Sequence, residues 1–252
     1  MMDLIISGCN GRMGRVVEAL AKDDPSLRIV AGFDITASSG HDFPVYASPL
    51  EFSGHADCVI DFSSPAALDD LLRFATNRKI PVVLATTGYS EAQIAQIQEV
   101  SKTVPLFRSA NMSLGINVMM RLVQQAAALL DGYDIEIVER HHNQKLDAPS
   151  GTALMLADAA SASVPYDSVY TYDRSQRRQK RSKEEIGISA VRGGTIVGEH
   201  TVIFAGHNEV IELHHSAQSR DLFASGALHA AKYLAGVSQP GLYDMQRMLN
   251  EE

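Results

Sequence analysis

The chain of 252 residues carries a formal charge of −8, with 45% hydrophobic and 21% charged residues, the balance of a folded globular protein rather than a disordered one. An acidic chain is a poor general partner for nucleic acid, because neutralising phosphates needs the opposite sign. Only two cysteines occur, Cys9 and Cys58, and neither lies in a Cys-x-x-Cys pattern, which excludes a disulfide scaffold and a thiolate zinc site.

The amino terminus lacks the basic region and apolar core of a signal peptide, and no apolar run approaches the ~18 residues of a membrane span. A cytoplasmic protein with no membrane partner is expected. Residues 4–7 read as a buried strand, 8–14 as a turn and 13–22 as a helix. Residues 28–34 and 57–62 read as the next strands. Ser64-Pro65 opens a helix to about 79, with Ser as cap and Pro at the first helical position. A fourth strand and its exit loop occupy 81–88. Ser90 with Gln93 forms a capping box for a helix to 102, and 106–111 is a fifth strand. Short apolar strands alternating with helices predict a doubly wound parallel sheet.

The rhythm then changes. Residues 114–130 are a long helix with Ile116, Met119, Met120, Val123 and Ala127 near helical period. A strand covers 134–139 by alternation. A polar, histidine-rich segment leads to a helix starting near Ser150. Strands at 187–191 and within 196–213 follow without long helices, so the second half reads as α+β with a partly antiparallel sheet. The last helix covers 220–234. The change of rhythm separates a first domain over 1–112 from a second that begins at 113.

Gly8-Cys9-Asn10-Gly11-Arg12-Met13-Gly14 joins the first strand to the first helix. Glycines at that spacing allow a tight turn and close approach of a pyrophosphate to the helix start. The spacing is G-x-x-G-x-x-G, not G-x-G-x-x-G. Asp34, ending the second strand, is placed to accept both ribose hydroxyls of adenosine. Dinucleotide binding is therefore favoured over a plain strand-to-helix turn.

The run Glu139-Arg140-His141-His142-Asn143-Gln144-Lys145-Leu146-Asp147-Ala148-Pro149-Ser150-Gly151-Thr152-Ala153 is the densest polar chemistry in the chain. Ser150-Gly151-Thr152 is a cap and first turn, so the amides of Gly151 and Thr152 could hold a carboxylate. Lys145 brings positive charge and a donatable proton, and His141 and His142 could act as acid or base or bind an anion. A capped helix behind a solvated loop is the plain alternative, and so many reactive groups within a short run weigh against it. A metal site on His141, His142, Asp147 and His214 or His215 is disfavoured, because adjacent histidines on a strand face opposite ways and no helical His-x-x-x-His pattern occurs. No metal is expected.

This run resembles the signature of the dihydrodipicolinate reductase family, Glu-x-His-His-x-x-x-Lys-x-Asp-x-Pro-Ser-Gly-Thr-Ala. Residues 8–14 are similar to that family's cofactor loop, 85–88 to its nicotinamide-side loop, 109–118 to its interdomain hinge, and Gly198-Glu199-His200-Thr201 extends the likeness. The resemblance implies a Rossmann domain over 1–112 completed by a C-terminal helix at 221–252, and a central α+β domain over 113–220 that binds substrate and forms a homotetramer. The activity implied is NAD(P)H-dependent reduction of a cyclic dicarboxylate, 4-hydroxy-tetrahydrodipicolinate, in the diaminopimelate route to lysine. It also implies that His141 and Lys145 are the acid–base residues, that His142 contacts substrate, and that Gly151 and Thr152 bind a substrate carboxylate. Cofactor contacts implied are Gly8 to Met13, Asp34, Ala85, Thr86 and Thr87, and Ser109, Ala110, Asn111 and Met112. Ala85 stands where the family's loop carries glycine. Two rivals are a related dehydrogenase of another amino or keto acid, and a nucleotide sensor that catalyses nothing. The His-His-x-x-x-Lys run and the Ser-Gly-Thr trap count against both.

NADH is expected to be preferred over NADPH. A 2′-phosphate would meet the charge of Asp34, residues 35–40 contain no Lys or Arg, and Arg12 is the one nearby cation. The late strands, 196–213, leave a sheet surface needing cover, which also points to a homotetramer. A basic run over 174–183 holds six of the chain's 22 basic residues and no acid. It reads as a solvated loop, or one attracting a dianionic substrate, rather than a nucleic-acid contact.

Overall fold

The computed structural model describes residues 1–36 and 40–251, so part of the 35–40 stretch bearing on cofactor choice, residues 37–39, lies outside the described residues. Two compact units emerge. One comprises Met1–Ser113 and the segment from Asp221 onward, the other Leu114–Arg220.

The first unit begins β1 (Met2–Ser7), α1 (Arg12–Lys22), β2 (Leu27–Phe33), β3 (Val45–Tyr46), β4 (Cys58–Asp61), α2 (Leu68–Arg78), β5 (Val82–Leu84), α3 (Glu91–Val100) and β6 (Pro105–Phe107). The second holds α4 (Leu114–Leu129), β7 (Asp134–His141), α5 (Gly151–Ser161), β8 (Val169–Thr171), β9 (Glu185–Arg192), β10 (Gly198–Ala205) and β11 (Val210–Ala217). The chain then returns to the first unit with α6 (Asp221–Ala235), β12 (Gly241–Tyr243) and α7 (Met245–Glu251).

The first sheet runs β12-β6-β5-β4-β1-β2-β3, with every pairing parallel. This is the doubly wound Rossmann order, and the winding reverses between β1 and β4, where such sheets open a ligand crevice at the strands' carboxyl ends. Strands covered on both faces must be apolar throughout. Ile5, Val59, Val82, Leu84 and Leu106 accordingly share one core with Leu71, Leu72 and Phe74 of α2. Phe33 meets Phe74 edge-on at 5.3 Å.

Some elements depart from the sequence reading. β3 and β12 span only two and three residues, too short to leave a periodic trace. Ser64 makes no side-chain cap bond. A 3₁₀ turn at Pro65–Ala67 precedes α2, which starts at Leu68. Ser90 and Gln93 do form both bonds of a capping box. β6 stops at Phe107, so residues 108–111 are a loop.

The second sheet is mixed, in the order β11-β10-β7-β9-β8. β7 is parallel to β9 and antiparallel to β10, which is antiparallel to β11. Along β7, Ile135 and Ile137 turn into a core with Met119, Val123, Leu156, Val202 and Phe204. Residues 196–213 hold β10 and the first part of β11, turned at 206–209 where the Gly206 N–H donates to the Glu209 carbonyl.

The basic run is not a merely solvated loop. Arg174 grips Glu136 of β7 at 2.7 and 3.2 Å and also reaches Glu185 at 3.1 Å. Arg181 pairs with Asp134 at 2.7 Å, and Lys183 with Asp131 at 3.2 Å. The acids that match this run come from β7 and the turn before it, far away in sequence, and from the start of β9, which follows the run directly.

Candidate active site

In the first unit the candidate site is made mostly of backbone. Gly8 has φ +76°, and a Cβ there would lie 2.6 Å from the Phe62 carbonyl oxygen at the exit of β4. At Gly14 a Cβ would stand 2.2 Å from the Gly8 carbonyl oxygen. Those missing side chains let α1 start directly against the loop, with its first amides facing outward from Gly11, a cap without a side-chain bond. The result is a cradle of the kind a pyrophosphate occupies. The Cys9 side chain is fully buried, and burial pushes its thiol up to about 11, so only its backbone could meet a cofactor. Arg12 is exposed and Met13 half-buried.

Asp34 lies just past β2, where its carboxylate accepts the Asn10 N–H at 3.1 Å and the Thr36 N–H at 3.3 Å. The Asn10 side chain donates to the Thr36 carbonyl at 2.8 Å and touches His41 Nε2 at 3.0 Å, while His41 Nδ1 meets Glu18 at 2.7 Å. The glycine loop and the segment after β2 are thus one bonded assembly. Arg12 is not the only cation nearby. Arg15 donates to the Gly40 carbonyl at 3.1 Å, beside His41.

The exits of β5 and β6 lie at the same carboxyl edge. Ala85 donates its N–H to the Asp61 carbonyl at 2.9 Å, and the Thr86 hydroxyl is 3.5 Å from the same oxygen. Thr87 is exposed. Arg108 N–H donates to the Tyr243 carbonyl at 2.8 Å, and Ser113 N–H to the Asn111 side chain at 2.8 Å. Ser109 is half-buried, Ala110 exposed and Met112 buried, which leaves Met112 only main-chain atoms to offer.

In the second unit the candidate site is made of side chains, stacked in rungs across the sheet. Ile137 and Val202 face each other in the apolar core; the next rung is Glu139 opposite His200, itself opposite His215. One rung further, His141 ends β7, and a Cβ on Gly198 would lie 3.0 Å from His141 Nε2. Glycine there leaves room beside that nitrogen. The site therefore grows out of the core by exchanging apolar for ionisable residues along one face.

Glu139 is the hub of this rung and is fully buried. Its carboxylate accepts two bonds from Arg192, each 2.7 Å, one from His141 Nδ1 at 2.6 Å and one from the Ser150 N–H at 2.9 Å. Burial pushes this carboxyl up, but the bonds from Arg192, His141 and Ser150 outweigh it and hold it below the ordinary range. Burial also lowers His141, helped by the charges of Lys145 and Arg192 and opposed by Glu139. Lys145 pairs with Asp147 at 2.8 Å, and this keeps the Asp147 carboxyl low.

Ser150 caps α5 by accepting the Ala153 N–H at 3.2 Å, and its hydroxyl lies 3.0 Å from His200 Nε2. Burial pushes His200 down to about 3, so it is neutral at physiological pH. A Cβ on Gly151 would meet nothing within 4 Å, so the start of α5 opens onto clear space. His142 sits 3.3 Å from Arg220. Among the described residues no group of three or more His, Cys, Asp or Glu side chains is arranged to hold a metal ion, and no helix is long and apolar enough to cross a membrane.

His141, Lys145, His142, Gly151 and Thr152 all belong to this unit, and the nucleotide-side candidates all belong to the other. Sequence reasoning missed Arg192, Arg220 and His200 as parts of the site. Arg192 falls just past the strand expected at 187–191, and Arg220 reads as the first residue of a helix that in fact begins at Asp221. Sheet register discloses Arg192 and His200, and the approach to His142 discloses Arg220.

Comparison with known proteins covers both halves. Residues 2–112 match the family model described as dihydrodipicolinate reductase, N-terminus, and residues 115–249 match its C-terminus. A 4-hydroxy-tetrahydrodipicolinate reductase of Caldanaerobacter subterraneus subsp. tengcongensis is 56% identical over 251 residues, covering 100% of this chain and 99% of the relative. One from Clostridium tetani is 49% identical, covering 99% and 98%. The dipicolinate-bound dihydrodipicolinate reductase from Paenisporosarcina sp. TG-14 superposes with a TM-score of 0.80 at 23% identity, covering 97% of each chain.

Proposed function

The chain belongs to the dihydrodipicolinate reductase family, and from that membership we propose how its two half-sites divide the reaction. It is an NAD(P)H-dependent oxidoreductase that reduces 4-hydroxy-tetrahydrodipicolinate to tetrahydrodipicolinate in the diaminopimelate route to lysine. The first unit takes the cofactor: the pyrophosphate on the amides of residues 8–13, the adenosine ribose on Asp34, and the nicotinamide end along Ala85 to Thr87 and Ser109 to Met112. Bound NAD(P)H supplies the hydride.

The second unit takes the dicarboxylate. One carboxylate lies on the Gly151 and Thr152 amides at the positive end of α5, the other against His142 and Arg220. The 4-hydroxyl leaves as water to give a conjugated cyclic imine. Hydride arrival at its ring carbon then puts enamine-like negative charge on the substrate, and a proton must reach the neighbouring carbon. Lys145 or His141 donates it, while the cationic surroundings stabilise the developing charge. The observation that carries these roles is the gathering of His141 and the capped start of α5 on the buried Glu139 carboxylate, with Lys145, paired to Asp147, near enough for its charge to act on His141. A sensor of nucleotides would need none of it.

Asp34 supports a preference for NADH, since a 2′-phosphate beside it would meet like charge. Arg15 and Arg12 leave NADPH usable. Side-by-side kcat/KM values, with substrate made freshly from pyruvate and aspartate semialdehyde, test both readings. NADPH outperforming NADH reverses the preference, and no turnover with either removes the site assignment. The protein works in the cytoplasm as a homotetramer through the mixed sheet. One face of that sheet carries α4 and α5, while Val191, Val210 and Ile211 remain exposed. A 27 kDa species by light scattering at micromolar concentration would refute the tetramer.

A further inference from the structure

A buried carboxylate bonded to a histidine decides which ring nitrogen carries the proton. Glu139 is an acceptor only, since its two oxygens already take both Arg192 bonds and the Ser150 N–H. His141 must therefore donate from Nδ1, which leaves Nε2 as the nitrogen that gains and loses a proton, beside the space kept by Gly198. Arg192 lies directly across from His141 in the parallel register of β7 and β9. Besides holding Glu139, its Nη2 also donates to the Asp147 carbonyl at 2.7 Å. Asp147 is the residue whose carboxylate holds the Lys145 ammonium.

We propose that Arg192 and Glu139 are positioning residues that act as one clamp, fixing the Nδ1–H tautomer of His141, the loop that carries Lys145 and the start of α5. The proposal rests on His141 and Lys145 being the acid–base pair. Its structural part, tautomer and charge balance, stands apart from that assignment. Arg192 neutralises the carboxylate, so Glu139 orients His141 without locking it permanently in the imidazolium form. The groups facing His141 are Glu139 on its own strand, Arg192 on β9, His200 on β10, and Lys145 in the following loop. His200 is neutral at physiological pH, so the working charges are Glu139, Arg192 and Lys145.

Two substitutions then move His141 in opposite directions. Glu139→Gln removes the carboxylate and leaves Arg192 facing the ring, so His141 titrates at lower pH, by about one pH unit or more. Arg192→Met leaves the carboxylate unbalanced, so His141 titrates at higher pH by a similar amount. Arg192→Lys keeps the charge but not the two-handed geometry, so the titration stays near that of the parent protein while kcat falls roughly tenfold. The readout is histidine ¹⁵N and ¹³C NMR titration, with His141 assigned by its loss in His141→Gln, alongside the pH profile of kcat/KM. In the unsubstituted protein at pH 8 the neutral His141 ring should show the Nδ1–H tautomer, a result that needs no variant to fold. An Nε2–H tautomer, or shifts of the same sign in Glu139→Gln and Arg192→Met, overturns the clamp. Normal turnover of a Lys145 variant would instead overturn the catalytic assignment and leave the clamp intact.

Discussion

The two candidate half-sites are built from different materials. Around the glycine loop the working surface is main chain: missing Cβ atoms at Gly8 and Gly14, exposed amides at the start of α1 and one carboxylate, Asp34. Around Glu139 it is side chain: a carboxylate, a guanidinium and three imidazoles (His141, His200 and His215) held by sheet register, with the Lys145 ammonium in the loop that follows β7. A backbone cradle binds a group present in many substrates and needs only space and dipoles. Moving a proton needs groups with tuned affinities, which requires burial and charge partners.

The sharpest way to break this contrast is Lys145→Ala. Its charge belongs to the side-chain half, so kcat should fall 10²-fold or more, equivalent to about 2.7 kcal/mol of barrier. The NADH dissociation constant should stay within about twofold. Near-normal turnover by a folded variant would remove Lys145 from the chemistry, and a large loss of NADH affinity would show that the halves are not separable.

The same contrast explains what could be read from the residues alone. The parallel sheet was legible because its strands are continuous apolar runs, and the glycine loop because backbone constraints leave a fixed spacing. Ser90–Gln93 was legible because a capping box is local. The polar rung was only half visible. His141, Lys145 and Ser150 sit within one short stretch, whereas Arg192 and His200 reach it through pairing of β7 with β9 and β10. The partners of the basic run were hidden for the same reason, since Glu136 meets Arg174 only across the sheet. Ser64 misled because a cap is set by where the first turn starts, and Pro65 opened a 3₁₀ turn instead.

A second, smaller effect tests the backbone half. Gly14→Ala forces a Cβ to 2.2 Å from a carbonyl oxygen of the loop. Main chain has no rotamer with which to yield, so the loop must shift. The expected cost is about 1–3 kcal/mol of stability, with NADH affinity weakened at least tenfold while the His141 titration stays in place. An alanine variant that binds NADH normally would mean that the cradle does not depend on that close approach.

The smallest effect sharpens the side-chain half through pH. His200 titrates at about 3 in the folded protein, mainly because of burial and then because of His141. The unfolded chain takes up that proton near pH 6.5. Between those values the unfolded state binds more protons, so stability falls as pH drops from 6.5 towards 3 and is unaffected above 6.5. One such group gives a slope of at most about 1.4 kcal/mol per pH unit. His200→Gln keeps an acceptor for the Ser150 hydroxyl but cannot titrate. It should cost about 1 kcal/mol at pH 7.5 and flatten the loss of stability between pH 6.5 and 4.5. Urea midpoints measured at several pH values decide it: parallel curves for the two proteins would mean that His200 accepts its proton in the folded state after all.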